Sequence, residues 1–283
     1  MKHRALIVLF LVTLIWSLAN SQQLHRSHPE ATMEATIRHS GNDVLITSVY
    51  PRPLAQVLES LCQEYGWTVN YEDPFYGDGD LADDTDPQWR ISHPQSRGTK
   101  LPGGGYFRTH ITEAANMQRR SDGEKNALQQ VVADYNQSGN PGAFELRMRK
   151  DGSFHVIGIA TRNATGTAAK SPVVLDTPIS IPMTSRTAYA TIDLILRQVS
   201  LRSGIRVGWG MMPQNVIAVH NVSIGGVDVA ARDLLQETID SMPRKMAWHL
   251  LLDPDARTYH FNLRSATHVV TDTSGKKVIE FLP

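Results

Sequence analysis

The stretch Pro53-Leu-Ala-Gln-Val-Leu-Glu-Ser-Leu-Cys-Gln-Glu-Tyr-Gly-Trp-Thr-Val-Asn-Tyr71 contains the pattern that decides the fold. Its apolar residues recur at the spacing of an amphipathic helix, at Leu54, Val57, Leu58, Leu61 and Tyr65. Gly66 ends this helix, because glycine tolerates the left-handed backbone that follows a last helical turn. The next residues, up to Tyr71, alternate between apolar and polar as a β-strand does.

The same order of residues recurs 138 positions later, where the matching residues are Ile192, Ile195, Leu196, Val199, Gly204, Ile205, Val207 and Trp209. Two later stretches also match: Leu128-Gln129 with Leu235-Gln236, and Phe154-His-Val156 with Tyr259-His-Phe261. One helix could repeat by chance, but two helices, a glycine stop and two hairpins in one order are harder to obtain that way. We therefore infer an internal duplication of a strand–helix–strand–strand–helix–hairpin unit.

Each helix of the unit has one apolar stripe and needs a sheet face to bury it. The sequence therefore predicts an α+β fold made of two tandem small modules, each a sheet with two helices. The first module spans 22–161 and contains a long insertion at 74–105, while the second spans 173–264. A small polar linker, 162–172, separates them, and the tail 265–283 could form a short hairpin.

Several local assignments complete this prediction. Residues 22–42 are polar and expected to be loose. The sequence Ser121-Asp-Gly-Glu124 is a capping box that opens a helix reaching about Asn136. Asp228 is expected to cap the last helix, after a strand at 216–224. Strand material at 173–183 is expected to be broken by Pro178 and Pro182.

The N-terminus has the pattern of an export signal over residues 1–21. A short basic region with Lys2 and Arg4 precedes an apolar run of twelve residues, and Ala19-Asn20-Ser21 places small residues where signal peptidase requires them. We therefore expect cleavage before Gln22, no membrane span afterwards, and a periplasmic or extracellular location. A retained signal anchor is the alternative.

Charge and cysteine content exclude several classes of protein. The chain has 28 basic and 28 acidic residues, so it lacks the positive field of a nucleic-acid-binding protein. Its only cysteine, Cys62, rules out an internal disulfide and a cysteine zinc cage. Cys62 lies near a helix C-terminus on the apolar side, which favours a small buried residue over a nucleophile.

The repeated unit resembles the secretin and TonB short N-terminal domain of bacterial envelope proteins. In that family a helix of the form PLxxVLxxLxxxxGxxVxY leads through strands to a second helix and a hairpin. Pro53–Tyr71 fits this form, and Ala190–Val207 fits it too. The long insertion departs from the family pattern, and no outer-membrane pore sequence follows. The resemblance implies a non-catalytic binding role but supplies no binding residues.

The insertion is the most distinctive local feature. The second copy has only about seven residues at this point, Gly210 to Val216, so we expect residues 74–105 to be dispensable for folding but needed for partner binding. Between Glu72 and Pro87 the chain has seven acidic residues and no basic residue. Within this stretch Asp78-Gly-Asp80 begins like a calcium-binding loop. The best-placed metal ligands would be Asp78, Asp80 and Asp84, although the later positions of a calcium loop are not met. Five aromatic residues in or beside the insertion could anchor a partner protein: Phe75, Tyr76, Trp89, Tyr106 and Phe107.

Three functional hypotheses follow. The leading one is an exported, non-catalytic protein-interaction module of the cell envelope, without a cofactor, whose partner is another envelope or secreted protein. The second is a small-ligand or calcium-binding secreted protein that uses the acidic insertion. The third is a hydrolase whose catalytic residues are scattered in the sequence, because no known catalytic motif occurs.

Overall fold

The computed structural model describes residues 35–112, 122–149 and 152–282. The signal sequence at 1–21 and Ser121 of the predicted capping box lie outside these residues. The fold is α+β, as the sequence predicts. The described residues belong to one compact unit. None of their helices is long and apolar enough to span a bilayer.

Six α-helices occur in the described residues: α1 (Pro53–Tyr65), α2 (Pro87–Ser92), α3 (Asp122–Gln137), α4 (Ala188–Ser203), α5 (Gln214–Ile217) and α6 (Ala231–Asp240). The first eight strands are β1 (Thr36–Ser40), β2 (Asp43–Ser48), β3 (Val69–Glu72), β4 (Leu81–Asp83), β5 (Lys100–Pro102), β6 (Phe107–Thr112), β7 (Ala143–Met148) and β8 (Phe154–Arg162). The other eight are β9 (Ala168–Lys170), β10 (Pro178–Thr187), β11 (Arg206–Trp209), β12 (Asn221–Ala230), β13 (Met246–Asp253), β14 (Thr258–Ser265), β15 (Thr267–Thr271) and β16 (Lys277–Phe281).

One seven-stranded sheet contains strands from both halves of the chain, in the order β11-β14-β13-β3-β8-β7, with β9 also paired to β8. In the first half β3 runs parallel to β8, and β8 runs antiparallel to β7. In the second half β11 runs parallel to β14, and β14 runs antiparallel to β13. A parallel pairing of β13 with β3 joins the two halves. Their common origin by duplication stays a prediction.

The two hydrophobic clusters lie on opposite faces of this sheet. Tyr71 belongs to the cluster with α1 and α3, whereas Leu250 belongs to the cluster with α4 and α6. In the joining ladder Tyr71 is paired with His249, the residue next to Leu250. Because paired residues share a face and successive residues of a strand alternate, the helices of each half cover a different side of the sheet.

Smaller sheets complete the fold; they change two local predictions and agree with a third. Strand β1 lies in the segment expected to be loose and pairs with β2, which also pairs with β6. Strand β10 runs through both Pro178 and Pro182, with register shifts near them in its ladder with β12. Bulges of this kind accommodate proline in a strand. The tail forms the predicted hairpin, from β15 and β16.

The predicted cap of the last helix is wrong, and the strand before that helix begins and ends later than predicted. Helix α6 begins after Ala230, while Asp228 lies within β12 with a φ of 56°. Residues 214–217 form α5, so β12 begins only at Asn221. Residues 162–172, predicted as a linker, contain β9, which extends the large sheet.

Candidate interaction surface

The five predicted interface aromatics fall into three groups, buried, half-buried and exposed. Tyr76 and Phe107 are 3% and 1% exposed and belong to the two hydrophobic clusters, so their prediction as interface residues is wrong. Phe75 is half-buried, with the Arg257 guanidinium over its ring at 4.4 Å. Trp89 and Tyr106 are 49% and 62% exposed, and these two remain available to a partner.

The first part of the insertion belongs to the core. Tyr76 packs in the second half's cluster with Val174 and Leu175, and its hydroxyl donates to Asp73 at 3.0 Å. A Cβ on Gly77 would lie 2.4 Å from the carbonyl oxygen of Arg162, so only glycine allows this close approach. Residues 74–81 are therefore structural and are not dispensable for folding, contrary to what comparison of the two halves suggests.

The predicted calcium ligands do not converge. Asp80 is buried, and its carboxylate accepts hydrogen bonds from the hydroxyl of Thr161 at 2.6 Å and from Nε of Arg162 at 2.7 Å. Asp78 lies 3.7 Å from Nζ of Lys100, and Asp84 is exposed. No group of three metal-ligating side chains occurs among the described residues. Asp80 thus has a structural role in holding the insertion to β8.

Residues 82–101, which we name the arm, form the outer part of the insertion. All of these residues are exposed except Thr85, Gly98 and Leu101, which are half-buried. Strands β4 and β5 form the base of the arm, and helix α2 lies beyond them. Neither hydrophobic cluster includes an arm residue.

Local bonds nevertheless hold the arm in one shape. Asp86 caps α2 by accepting hydrogen bonds from the N–H groups of Gln88 and Trp89 at 2.7 and 2.9 Å, and Pro87 occupies the first helical turn. The Trp89 ring stacks on His93 with 3.5 Å between ring centroids. Gly98 has a φ of 76°, and a Cβ there would lie 2.2 Å from the Thr85 hydroxyl.

The arm displays a hydrophobic residue that the sequence analysis missed. Ile91, on α2, is 74% exposed. It is two residues from Trp89 in an otherwise polar segment, and that isolation was the signal available in the sequence. Large apolar side chains that stay exposed on an ordered segment are typical of recognition surfaces.

A buried polar joint connects the two halves behind the arm. The Asp73 carboxylate accepts hydrogen bonds from Nε of Arg52 at 2.8 Å, from the Tyr71 hydroxyl at 2.8 Å and from the N–H of Leu252 at 2.9 Å. The Asp73 N–H donates to the carbonyl of Leu250 at 2.9 Å. This carboxylate is fully enclosed and its neighbours satisfy it, so it fixes how β3 meets β13.

A second set of charges extends the joint across the sheet. Arg232 on α6 bonds Glu72 directly, and its Nε donates to Asp176 at 2.8 Å. Asp176 also accepts from Arg147 at 2.5 Å. The chain of ion pairs therefore runs from the buried end of β3 to the exposed end of β7. Its innermost members are enclosed and hydrogen-bonded, as buried charges must be.

Two groups of chemical interest lie away from the larger cavities: Cys62 is buried and His249 is half-buried. Burial raises the pKa of the Cys62 thiol to about 12, which agrees with a structural residue. Burial lowers the pKa of His249 to about 4. A cavity of about 960 Å³ lies beside β7, β8 and β9, and one of about 460 Å³ lies between the arm and the β13–β14 turn. Glu72, Asp73 and His249 line neither cavity.

No known protein family, curated protein or solved structure matches this chain.

Proposed function

We propose that this chain is an exported, non-catalytic protein-interaction module of the bacterial cell envelope, and that the arm contacts its partner. One observation carries this proposal: the arm holds a defined shape through its own hydrogen bonds while exposing Trp89 and Ile91. Its partner is another envelope or secreted protein in the periplasm or outside the cell.

The physical argument concerns what the arm does not do for the fold. It adds no side chain to either hydrophobic cluster, so core packing does not account for a tryptophan and an isoleucine in this segment. Ordering about twenty residues costs conformational entropy, which these residues do not recover by burial within the chain. Binding would bury both side chains and recover part of that cost.

The neighbouring charges suit an interface of this kind. Arg90, between Trp89 and Ile91 on α2, forms an exposed ion pair with Asp83, so a charged pair adjoins the two apolar residues. A central aromatic anchor with a polar rim is the usual composition of a binding surface. The signal-like N-terminus and the resemblance to the secretin and TonB short domain support the envelope as the setting.

Two variants test the arm. In the first, an Asn-Gly turn replaces residues 82–101, because Leu81 and Pro102 are paired across the base and a two-residue turn can join them. In the second, Trp89→Ala is combined with Ile91→Ala. Both should fold with a free energy of unfolding within about 1 kcal/mol of the wild-type value, and both should fail to capture the partner from an envelope extract.

A matched control is Leu201→Ala combined with Val227→Ala. These residues are 77% and 83% exposed and lie outside the arm, so the control removes a similar apolar area without touching the proposed site. It should capture the partner as the wild-type protein does. Unchanged capture by the arm variants would refute the proposal, and loss of folding would show that the arm is structural.

A further inference from the structure

The outer edge of β7 presents backbone groups that pair with no residue the structure describes. Strand β8 is the neighbour of β7 in the sheet. The Phe144 N–H donates to Oδ1 of Asn136 at 2.9 Å, and the Phe144 carbonyl accepts from Nδ2 of Asn136 at 2.8 Å. The backbone N–H and carbonyl of Phe144 therefore point away from β8. Because backbone groups alternate in direction along a strand, those of Leu146 and Met148 face the same way.

The outward backbone groups of Leu146 and Met148 have no hydrogen-bond partner among the described residues. Met148 is also 57% exposed. The matching strand of the second half, β13, is covered at the corresponding place. The Leu250 carbonyl accepts from the Asp73 N–H, and the Leu252 N–H donates to the Asp73 carboxylate. Strand β7 is thus an open edge where its counterpart is closed by β3.

We propose that β7 pairs antiparallel with β7 of a second copy of this chain, about a twofold axis at Leu146. Each Leu146 would exchange two backbone hydrogen bonds with its counterpart in the partner copy. Glu145 of each copy would lie directly opposite Arg147 of the other, on one face of the extended sheet. The interface is isologous, so the same contacts occur twice.

Charge selects this register over its neighbours. Only the even-numbered residues face outward, so alternative registers differ by a shift of two residues. A shift in one direction places Glu145 opposite Glu145 of the second copy, and a shift in the other places Arg147 opposite Arg147. Like charges directly opposite destabilise a sheet, whereas the register centred on Leu146 sets opposite charges against each other twice. Within each copy Arg147 already bonds Glu145 and Asp176, so the cross-copy pairs extend an existing ion-pair network.

Asn136 limits the length of the new ladder. Its side chain already occupies the Phe144 N–H, so that group cannot donate to an added strand. The Phe144 carbonyl already accepts from Nδ2 of the same side chain, so neither outward backbone group of Phe144 is open to an added strand. Pairing is therefore centred on Leu146 and ends before Phe144, which agrees with the register that the charges select.

Charge substitution in the full chain tests the register. Glu145→Arg gives an edge with two basic residues, and Arg147→Glu gives one with two acidic residues. Wild-type protein should show a concentration-dependent dimer in sedimentation velocity. Each single variant should dimerise at least about tenfold more weakly, and an equimolar mixture should recover the dimer, because opposite charges then face each other at every pair.

Controls separate this proposal from the one on the arm. Asp193→Arg and Arg197→Glu change the same charges in an exposed ion pair on α4 and should dimerise as wild type does. The Trp89→Ala, Ile91→Ala variant should also dimerise normally, so failure of the arm proposal would leave this result intact. A wild-type monomer at about 100 µM, normal dimers of both single variants, or a mixture that stays monomeric would each overturn the proposal.

Discussion

Strands β3 and β11 occupy the same position in the two halves but have different surroundings. Each follows a helix that ends at a left-handed glycine, Gly66 or Gly204, and each runs parallel to the second strand of a hairpin. All four residues of β3 are buried between β8 and β13, whereas β11 lies at the edge of the sheet.

The residues that end the two strands explain this difference. Strand β3 ends in Glu72 and continues to Asp73, and both acids bond arginines in the joint. Gly210 and Met211 follow β11 at the positions that correspond to Glu72 and Asp73. There the chain stays beside β14, because the Met211 carbonyl accepts from the N–H of Leu263 at 2.9 Å. Two acidic residues thus distinguish a strand that joins the halves from one that ends the sheet.

The largest expected effect comes from removing the acid at the joint. Asp73→Ala leaves the Arg52 guanidinium without its carboxylate and the Tyr71 hydroxyl and Leu252 N–H without an acceptor. Breaking a buried pair by removing one partner costs about 3–5 kcal/mol, and we expect a loss of this size in the free energy of unfolding. Chemical denaturation of the two proteins measures it.

Asp233→Ala is the control for this prediction, because its ion pair with Arg149 is largely exposed. It should change the free energy of unfolding by no more than about 1 kcal/mol. If Asp73→Ala costs no more than Asp233→Ala, the buried joint does not hold the halves together and the contrast between β3 and β11 has another cause.

The sequence predicts the repeated elements well and the joint poorly. Helix α1, the strand after Gly66 and both hairpins follow from local periodicity and turn residues, which the sequence displays directly. The β13–β3 pairing brings Tyr71 beside His249, residues far apart in the chain, and no local pattern encodes that contact. Two acids at the end of a buried strand were the available sign that a charged partner would be found there.

The site was only partly predictable for a related reason. Aromatic residues near a long insertion are candidates for both core and interface, and composition does not distinguish the two. Trp89 lies on the exposed arm, but Tyr76, thirteen residues earlier, packs beneath it in the core. The second half has only about seven residues where the first has the insertion, which suggested that the whole insertion was dispensable for folding, whereas only its outer part leaves both clusters unchanged.

A second prediction compares matched helix positions. Leu128 on α3 and Leu235 on α6 are both fully buried, each in the cluster of its own half. Leu128→Ala and Leu235→Ala should each lower the free energy of unfolding by about 2–5 kcal/mol, since a buried leucine loses both transfer energy and packing. Because the halves share a sheet, each variant should move a single unfolding transition.

Urea unfolding followed by far-UV circular dichroism and by tryptophan fluorescence checks this result. Two separate transitions, with only one displaced by each variant, would mean that the halves unfold independently despite the joint. A loss of less than about 1 kcal/mol in the free energy of unfolding at either position would show that this face of the helix does not pack into the core.

The smallest expected effect concerns His249 on β13, whose counterpart on β7 is the half-buried Glu145. Burial lowers the pKa of His249 to about 4, and its ring packs edge-on against Tyr71 at 5.7 Å. Nη2 of Arg264 lies 3.4 Å from Nε2 of His249, which favours the neutral ring because a guanidinium can only donate. The imidazole is thus neutral in the folded protein at pH values where it is protonated in the unfolded chain.

The sign of the pH dependence follows from that difference. Between about pH 6.5 and pH 4 the unfolded chain binds more protons at His249 than the folded protein does, so stability falls as the pH falls through this range. Partial exposure of the residue reduces the effect to about 1–2 kcal/mol between pH 7.5 and pH 5. Urea midpoints of the wild-type protein and of His249→Gln, measured at both pH values, separate the contribution of His249 from that of the other titrating groups, because the two proteins share those groups. The wild-type protein should lose more stability than His249→Gln on acidification, and an equal loss would show that β3 does not enclose the ring of His249.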